Sequence, residues 1–128
     1  MPTAVLTVPA APEQARTARL VAGAAARRAG VDEDLLEDVR LAVAEAVARA
    51  VLRSVASDGT DTGLTVAVAL TDSDDRFEIA VADQAGPAED EDEDELALTV
   101  MQALAPESRT EDNADGGRTI VLTWPVLD

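Results

Sequence analysis

The sequence predicts an α/β (α+β) fold, a two-layer sandwich with helices packed on one face of a largely antiparallel mixed sheet. Three observations lead there. Leu35 to Ser54 carries apolar side chains at helical spacing over its whole length. Leu64 to Thr71 and Phe77 to Val81 alternate in polarity around a short polar turn, the pattern of a β-hairpin. The order of elements along the chain reads β-α-α-β-β-α-β, and each long helix and each strand has one apolar face to bury. With 128 residues and neither an internal repeat nor a linker, residues 1–128 form a single domain large enough for a real core.

Taken in order, Ala4 to Val8 is a short β-prone run closed by Pro9 and Pro12, with Ala4, Leu6 and Val8 on one face. Pro12 suits the first turn of a helix, where its missing N–H costs nothing. That helix runs from about Glu13 to Ala29, with Ala15, Ala18, Ala22, Ala25 and Ala29 as its apolar line and Gly30 as its stop. Asp32, Glu33 and Asp34 open the next helix, where acids complement the positive end and Asp32 or Asp34 can cap. Its inward face is Leu35, Val39, Ala42, Val43, Ala46, Ala50 and Val51, and Arg49 and Arg53 fall near its negative end.

Ser57 to Gly63 reads as a loop, followed by the hairpin strands. Asp83 to Pro87 leaves the second strand, and Glu89 to Glu95 is an unbroken acidic tract, read as an acidic loop over residues 88–95. A short helix from Leu96 to Ala105 points Leu96, Val100, Ala103 and Leu104 inward. Glu107 to Gly117 is polar and turn-rich, with room for a short strand near Ser108. Arg118 to Trp124 alternates again, with Ile120, Leu122 and Trp124 on the core side.

The composition narrows the chemistry. Phe77 and Trp124 are the only aromatic residues, so the core is built from Ala, Val, Leu and Ile. A net charge of −16 argues against nucleic acid and against an anionic membrane surface, and leaves a basic protein partner. Without Cys or His, thiol catalysis, disulfides and the commonest metal ligands are excluded, and no metal site is expected. No apolar run approaches the ~20 residues of a membrane helix. The N-terminus lacks the basic start of a signal peptide, so the cytoplasm is the expected location.

The segment Asp38 to Val51, DVRLAVAEAVARAV, together with the order of elements, resembles the anti-sigma factor serine kinases. These carry a histidine-kinase-like ATPase domain of the GHKL (Bergerat) fold. The resemblance covers nearly the whole chain. It implies a Bergerat-type fold, ATP with Mg²⁺ as cofactor where the site is retained, and a sigma factor or an antagonist protein as partner. It also implies a homodimer.

Position by position, the family's S-E-A-x-x-N-A motif falls on Ala44, Glu45, Ala46, Val47, Ala48, Arg49 and Ala50. Glu45 matches the family's catalytic or orienting Glu. Arg49 replaces the Asn that binds magnesium; a guanidinium cannot coordinate a cation, although it can contact phosphate. The D-x-G-x-G motif falls on Asp83, Gln84, Ala85, Gly86 and Pro87, so Asp83 matches the residue that holds the adenine amino group, and Gly86 lies between two lost glycines. The family's glycine-rich phosphate segment is replaced by Glu89, Asp90, Glu91, Asp92, Glu93, Asp94 and Glu95. Each close pair of like charges there costs an ATP phosphate roughly 3 kcal/mol before screening, at ~5 Å and an effective dielectric of ~20. Thr119 matches a family Thr near the nucleotide.

The scaffold therefore fits better than the site. The chain reads as a degenerate member, a pseudokinase of the serine/threonine type. Its expected role is that of an anti-sigma regulatory protein with nucleotide binding weakened or lost, and its cofactor expectation is none. Two alternatives stand beside it: an active ATP-binding kinase using Glu45 and Asp83, and a ligand-free dimerisation module. Plainer readings of the same residues are an i, i+4 ion pair for Glu45 and Arg49, turn capping for Asp83, and a solvated loop for the acidic tract. The sharper reading of that tract is a surface for a basic partner.

Overall fold

The computed structural model describes residues 3–58, 64–84, 91–113 and 117–126. Five strands, β1 (Thr3–Pro9), β2 (Thr65–Asp72), β3 (Arg76–Ala82), β4 (Glu107–Asp112) and β5 (Arg118–Pro125), form one sheet in the order β1-β2-β3-β5-β4. All four pairings are antiparallel, so the mixed sheet expected from the sequence is wholly antiparallel. Helices α1 (Gln14–Ala29), α2 (Leu36–Asp58) and α3 (Glu91–Leu104) make the second layer. The described residues thus have the two-layer α+β architecture read from the sequence.

Local chemistry sets the helix ends. Gly30 closes α1 at φ 100°, where a side chain would be strained, and its N–H reaches the Ala26 and Arg27 carbonyls. Asp32 caps the next element by accepting from the Asp34 N–H at 2.9 Å. One short 3₁₀ turn, Glu33–Leu35, precedes α2. Helix α1 packs along α2 through Ala18, Ala22, Gly23 and Ala26, all buried. At Gly23 an added Cβ would meet the Arg40 side chain, so the missing side chain lets Arg40 lie across α1. Leu20 and Val21 beside that face stay exposed.

The core lies between the layers. Val66, Val68 and Leu70 of β2, Phe77, Ile79 and Val81 of β3, and Ile120, Leu122 and Trp124 of β5 face Val39, Val43, Ala46, Val47 and Ala50 of α2. Burying a Val, Leu, Ile or Phe side chain is worth about 1.5–3 kcal/mol, so this alternation holds the register of the sheet. Ala67, Ala69, Ala80 and Ala82 alternate to the opposite face.

Two expectations change at the C-terminal half. Helix α3 begins at Glu91, inside the acidic tract, so 91–95 are helical and only 88–90 of the expected loop lie outside the described residues. Acids in the first turns of a helix are stabilised by its positive end, which is why the tract can join it. The inward face of α3 is also rotated by one residue. Ala97, Met101 and Ala105 are buried, Leu98 and Leu104 half-buried, and Leu96 (68%) and Val100 (40%) are exposed. A separate strand does form near Ser108, as β4, paired only with β5 at the sheet edge.

Candidate functional site

The site predicted from the sequence lies where α2 crosses the ends of β3 and β5. Asp83 follows the last residue of β3 and is buried, at 5% exposure. Its backbone N–H donates to the Arg118 carbonyl at 2.9 Å, and its Oδ1 accepts from the Arg118 N–H at 3.1 Å. Gly117 makes this possible. An added Cβ there would overlap the Asp83 carbonyl oxygen and crowd the Gln84 Cα, both of them backbone atoms that cannot swing aside.

The second carboxylate oxygen is also engaged. Arg53 Nε donates to Asp83 Oδ2 at 2.9 Å, and both side chains are only 4% exposed. Arg53 lies on the buried stripe of α2 toward its C-terminal end, three residues after Ala50 and seven after Ala46. Ser54 beside it is buried as well, its hydroxyl donating to the Ala50 carbonyl at 2.9 Å. A charge buried this deeply needs a counter-charge, and Asp83 supplies it. The plainer reading of Asp83 as a turn cap gives way to a cross-layer ion pair. Gln84 turns away to β2, where its Oε1 accepts from the Thr65 N–H at 3.0 Å.

Thr119 adjoins Arg118, the backbone partner of Asp83, but lies on the sheet face opposite the core, so its side chain is not brought to the Asp83 carboxylate. It stands opposite Ala82 in the β3–β5 register, and its hydroxyl donates to Asn113 Oδ1 at 2.8 Å. Glu45 is not brought to Asp83 either. It is half-buried on α2 eight residues before Arg53, about 12 Å along the axis at 1.5 Å per residue. Arg49 lies between them, half-buried and itself engaged. The expected Glu45–Arg49 ion pair is not among those formed by the described residues.

Gly86, Glu89 and Asp90 lie outside the described residues, and Glu91, Asp92, Glu93, Asp94 and Glu95 open α3. Among the described residues no group of three or more carboxylates converges as a metal site. Sequence reasoning missed Arg53. The signal was available: an Arg on the otherwise apolar Ala46–Ala50 line needs a buried partner.

With this geometry in hand, the chain can be placed by comparison. The family model of the histidine kinase-like ATPase domain matches residues 8–124, and the chain belongs to that family. Its similarity is to the anti-sigma branch read from the Glu45 and Asp83 motifs. It is 32% identical over 126 residues to the serine-protein kinase RsbW of Halalkalibacterium halodurans, a match covering 98% of this chain and 72% of that one. Among solved structures, the RsbU and RsbW domains of a Mycobacterium tuberculosis protein superpose with a TM-score of 0.72 at 26% identity. That match covers 98% of this chain but only 33% of the solved one, so the chain spans about a third of its length. No helix among the described residues is long and apolar enough to cross a membrane.

Proposed function

We propose that this chain is a regulatory protein of the anti-sigma type, acting by binding a sigma factor or an anti-sigma antagonist, with ATP binding weakened or lost. The observation that carries the second half is the Arg53–Asp83 pair. A base amino group would have to share a carboxylate that is buried and already accepts from Arg53 Nε and the Arg118 N–H. The burial of Asp83 and the Arg49 that stands where the family places its metal ligand both count against a tightly held ATP.

The first half rests on the likeness to RsbW and on charge. A chain of net charge −16 suits a basic protein face. Affinity capture from the native host tests the partner: recovery of a sigma factor or an antagonist-like protein is expected, and recovery of neither sinks the reading. Calorimetry with Mg·ATP at ~1 mM tests the nucleotide, and no binding heat is expected.

The competing reading is an active serine kinase. The family's Glu survives as Glu45, and a serine-protein kinase is 32% identical. Phosphate transfer from labelled ATP to a captured antagonist, lost in Glu45→Gln, would establish it over the first.

A further inference from the structure

Helix α1 is a cationic strip on an acidic chain. Gln14–Ala29 holds Arg16, Arg19, Arg27 and Arg28 and no acid, while the chain as a whole is at −16. All four side chains are exposed, and none forms an ion pair with a described residue. Helix stability accounts for only part of this. Arg27 and Arg28 complement the negative end of α1, but Arg16 sits in the first turn, where a helix favours an acid. We propose that the groove between α1 and α2 docks an acidic segment of a protein partner, one that also offers an apolar side chain. The proposal rests on the regulatory-binding reading above and assigns it a surface and a recognition chemistry.

The groove suits both parts of such a segment. Leu20, Gly23 and Ala24 supply its apolar lining and Arg27, Arg28 and Arg40 its basic lining, around about 380 Å³. Leu20 is 59% exposed. Covering it on binding removes apolar area from water, which a bare carboxylate cannot do. Arg40 reaches across because Gly23 has no side chain in its way. Arg40 also contacts Glu37 at 3.5 Å, but Arg27 and Arg28 have no such partner, so the groove keeps a positive surplus. The charge of the whole chain decides which anions fit. Screening confines each charge to about 8 Å at physiological salt, so a short segment in the groove meets mainly the local guanidiniums. An extended polyanion, such as duplex DNA or an anionic bilayer, would also face the acids of the other elements and be repelled. A protein can be basic over most of its surface and still present one acidic segment, so this docking agrees with the basic partner inferred from net charge.

The probe is a labelled peptide of alternating Glu and Leu pairs, titrated against the intact chain by fluorescence anisotropy at ~0.15 M salt. Saturable binding is expected, weakened about tenfold by Arg27→Gln with Arg28→Gln and weakened also by Leu20→Ser. The control is Arg76→Gln with Arg109→Gln, which removes the same charge at exposed positions on the sheet and is expected to bind like the wild type. No saturable binding, or equal weakening in both double variants, overturns the proposal. So does equally tight binding of phosphatidylglycerol vesicles or duplex DNA, which would make the strip a general polyanion site. If the Arg27 and Arg28 variant does not fold, the wild type decides with a Gln-for-Glu peptide, whose binding as tightly as the Glu form overturns the site. Capture from the native host is then repeated with that variant, and loss of the sigma factor or antagonist-like protein is expected. Equal capture by variant and wild type overturns the docking site and leaves the regulatory reading standing. Capture of neither protein by the wild type sinks the regulatory reading, and the peptide titration alone then judges the groove.

Discussion

Gly117 and Asp83 are in direct backbone contact: no side chain fits at 117 without striking the Asp83 carbonyl. That contact brings the Arg118 N–H within 3.1 Å of Asp83 Oδ1 and so helps define the carboxylate's orientation. Gly117→Ala is therefore expected to destabilise by about 1–3 kcal/mol, the usual range for overpacking. Gly23→Ala is the control. There the Cβ meets the flexible Arg40 side chain, and the helix gains up to ~1 kcal/mol of propensity. Urea unfolding of the two variants checks this; equal losses at both sites would refute it.

Arg53 and Asp83 should behave as one unit. Removing either partner takes a close counter-charge from a buried charge, which costs about 3–5 kcal/mol, whereas replacing both by apolar residues is often near neutral. Arg53→Met and Asp83→Leu are each expected to be strongly destabilised, and the double variant to recover most of the loss. Denaturant midpoints for the four proteins of the cycle give the coupling. An additive double variant would mean that the 2.9 Å contact carries no energy of its own.

Much of this fold was legible from pattern. Val39, Ala42, Val43, Ala46 and Val51 recur at helical spacing and are all buried, so α2 could be read directly. The hairpin was as clear, because Val66, Val68, Leu70, Phe77, Ile79 and Val81 alternate and all point inward. What failed had physical causes. In β4 the residues ESRTED are almost all exposed, because an edge strand over no core needs no apolar face. Arg53 looked like a charge complementing the helix end; its place on the Ala46–Ala50 line calls for a buried partner but does not say which, and that partner is 30 residues away. Asp83 and Thr119 were legible only through the family motifs, and the β3–β5 register, which sets Thr119 opposite Ala82, puts their side chains on opposite faces of the sheet.

Helix α3 tests how register is chosen. Leu96, Val100 and Leu104 share one helical spacing, and Ala97, Met101 and Ala105 share another, so the sequence alone permits either face. The structure buries the second. Met101→Ala is accordingly expected to cost about 2–5 kcal/mol, and Leu96→Ser or Val100→Ser within about 0.5 kcal/mol. A large loss at Leu96 would return the helix to the register read from its sequence.

Replacing Arg49 by the family's residue separates two explanations for weak nucleotide binding. If only the metal ligand were missing, Arg49→Asn would restore Mg·ATP binding. With the acidic tract Glu89 to Glu95 still in place of the family's glycine-rich segment, the substitution is expected to restore nothing measurable at ~1 mM. Calorimetry with Mg·ATP reads the outcome, and clear binding by the single variant would show that the acidic tract does not keep the phosphates out.

Trp124 reports on the join between α3 and the sheet. It is the sole tryptophan, fully buried, and its indole Nε1–H donates to the Leu104 carbonyl at 3.2 Å. That carbonyl belongs to the last turn of α3, where helix carbonyls lack partners within the helix. Trp124→Phe keeps most of the apolar area but removes the donor, so its cost combines lost volume with an unsatisfied carbonyl, about 1–3 kcal/mol. In the wild type the buried indole should emit at short wavelength and shift to the red when α3 separates from β5. If α3 can leave before the rest of the core melts, the fluorescence transition will precede loss of far-UV circular dichroism. If Met101 and Trp124 bind it into one cooperative unit, the two curves will coincide, as expected from the complete burial of both side chains.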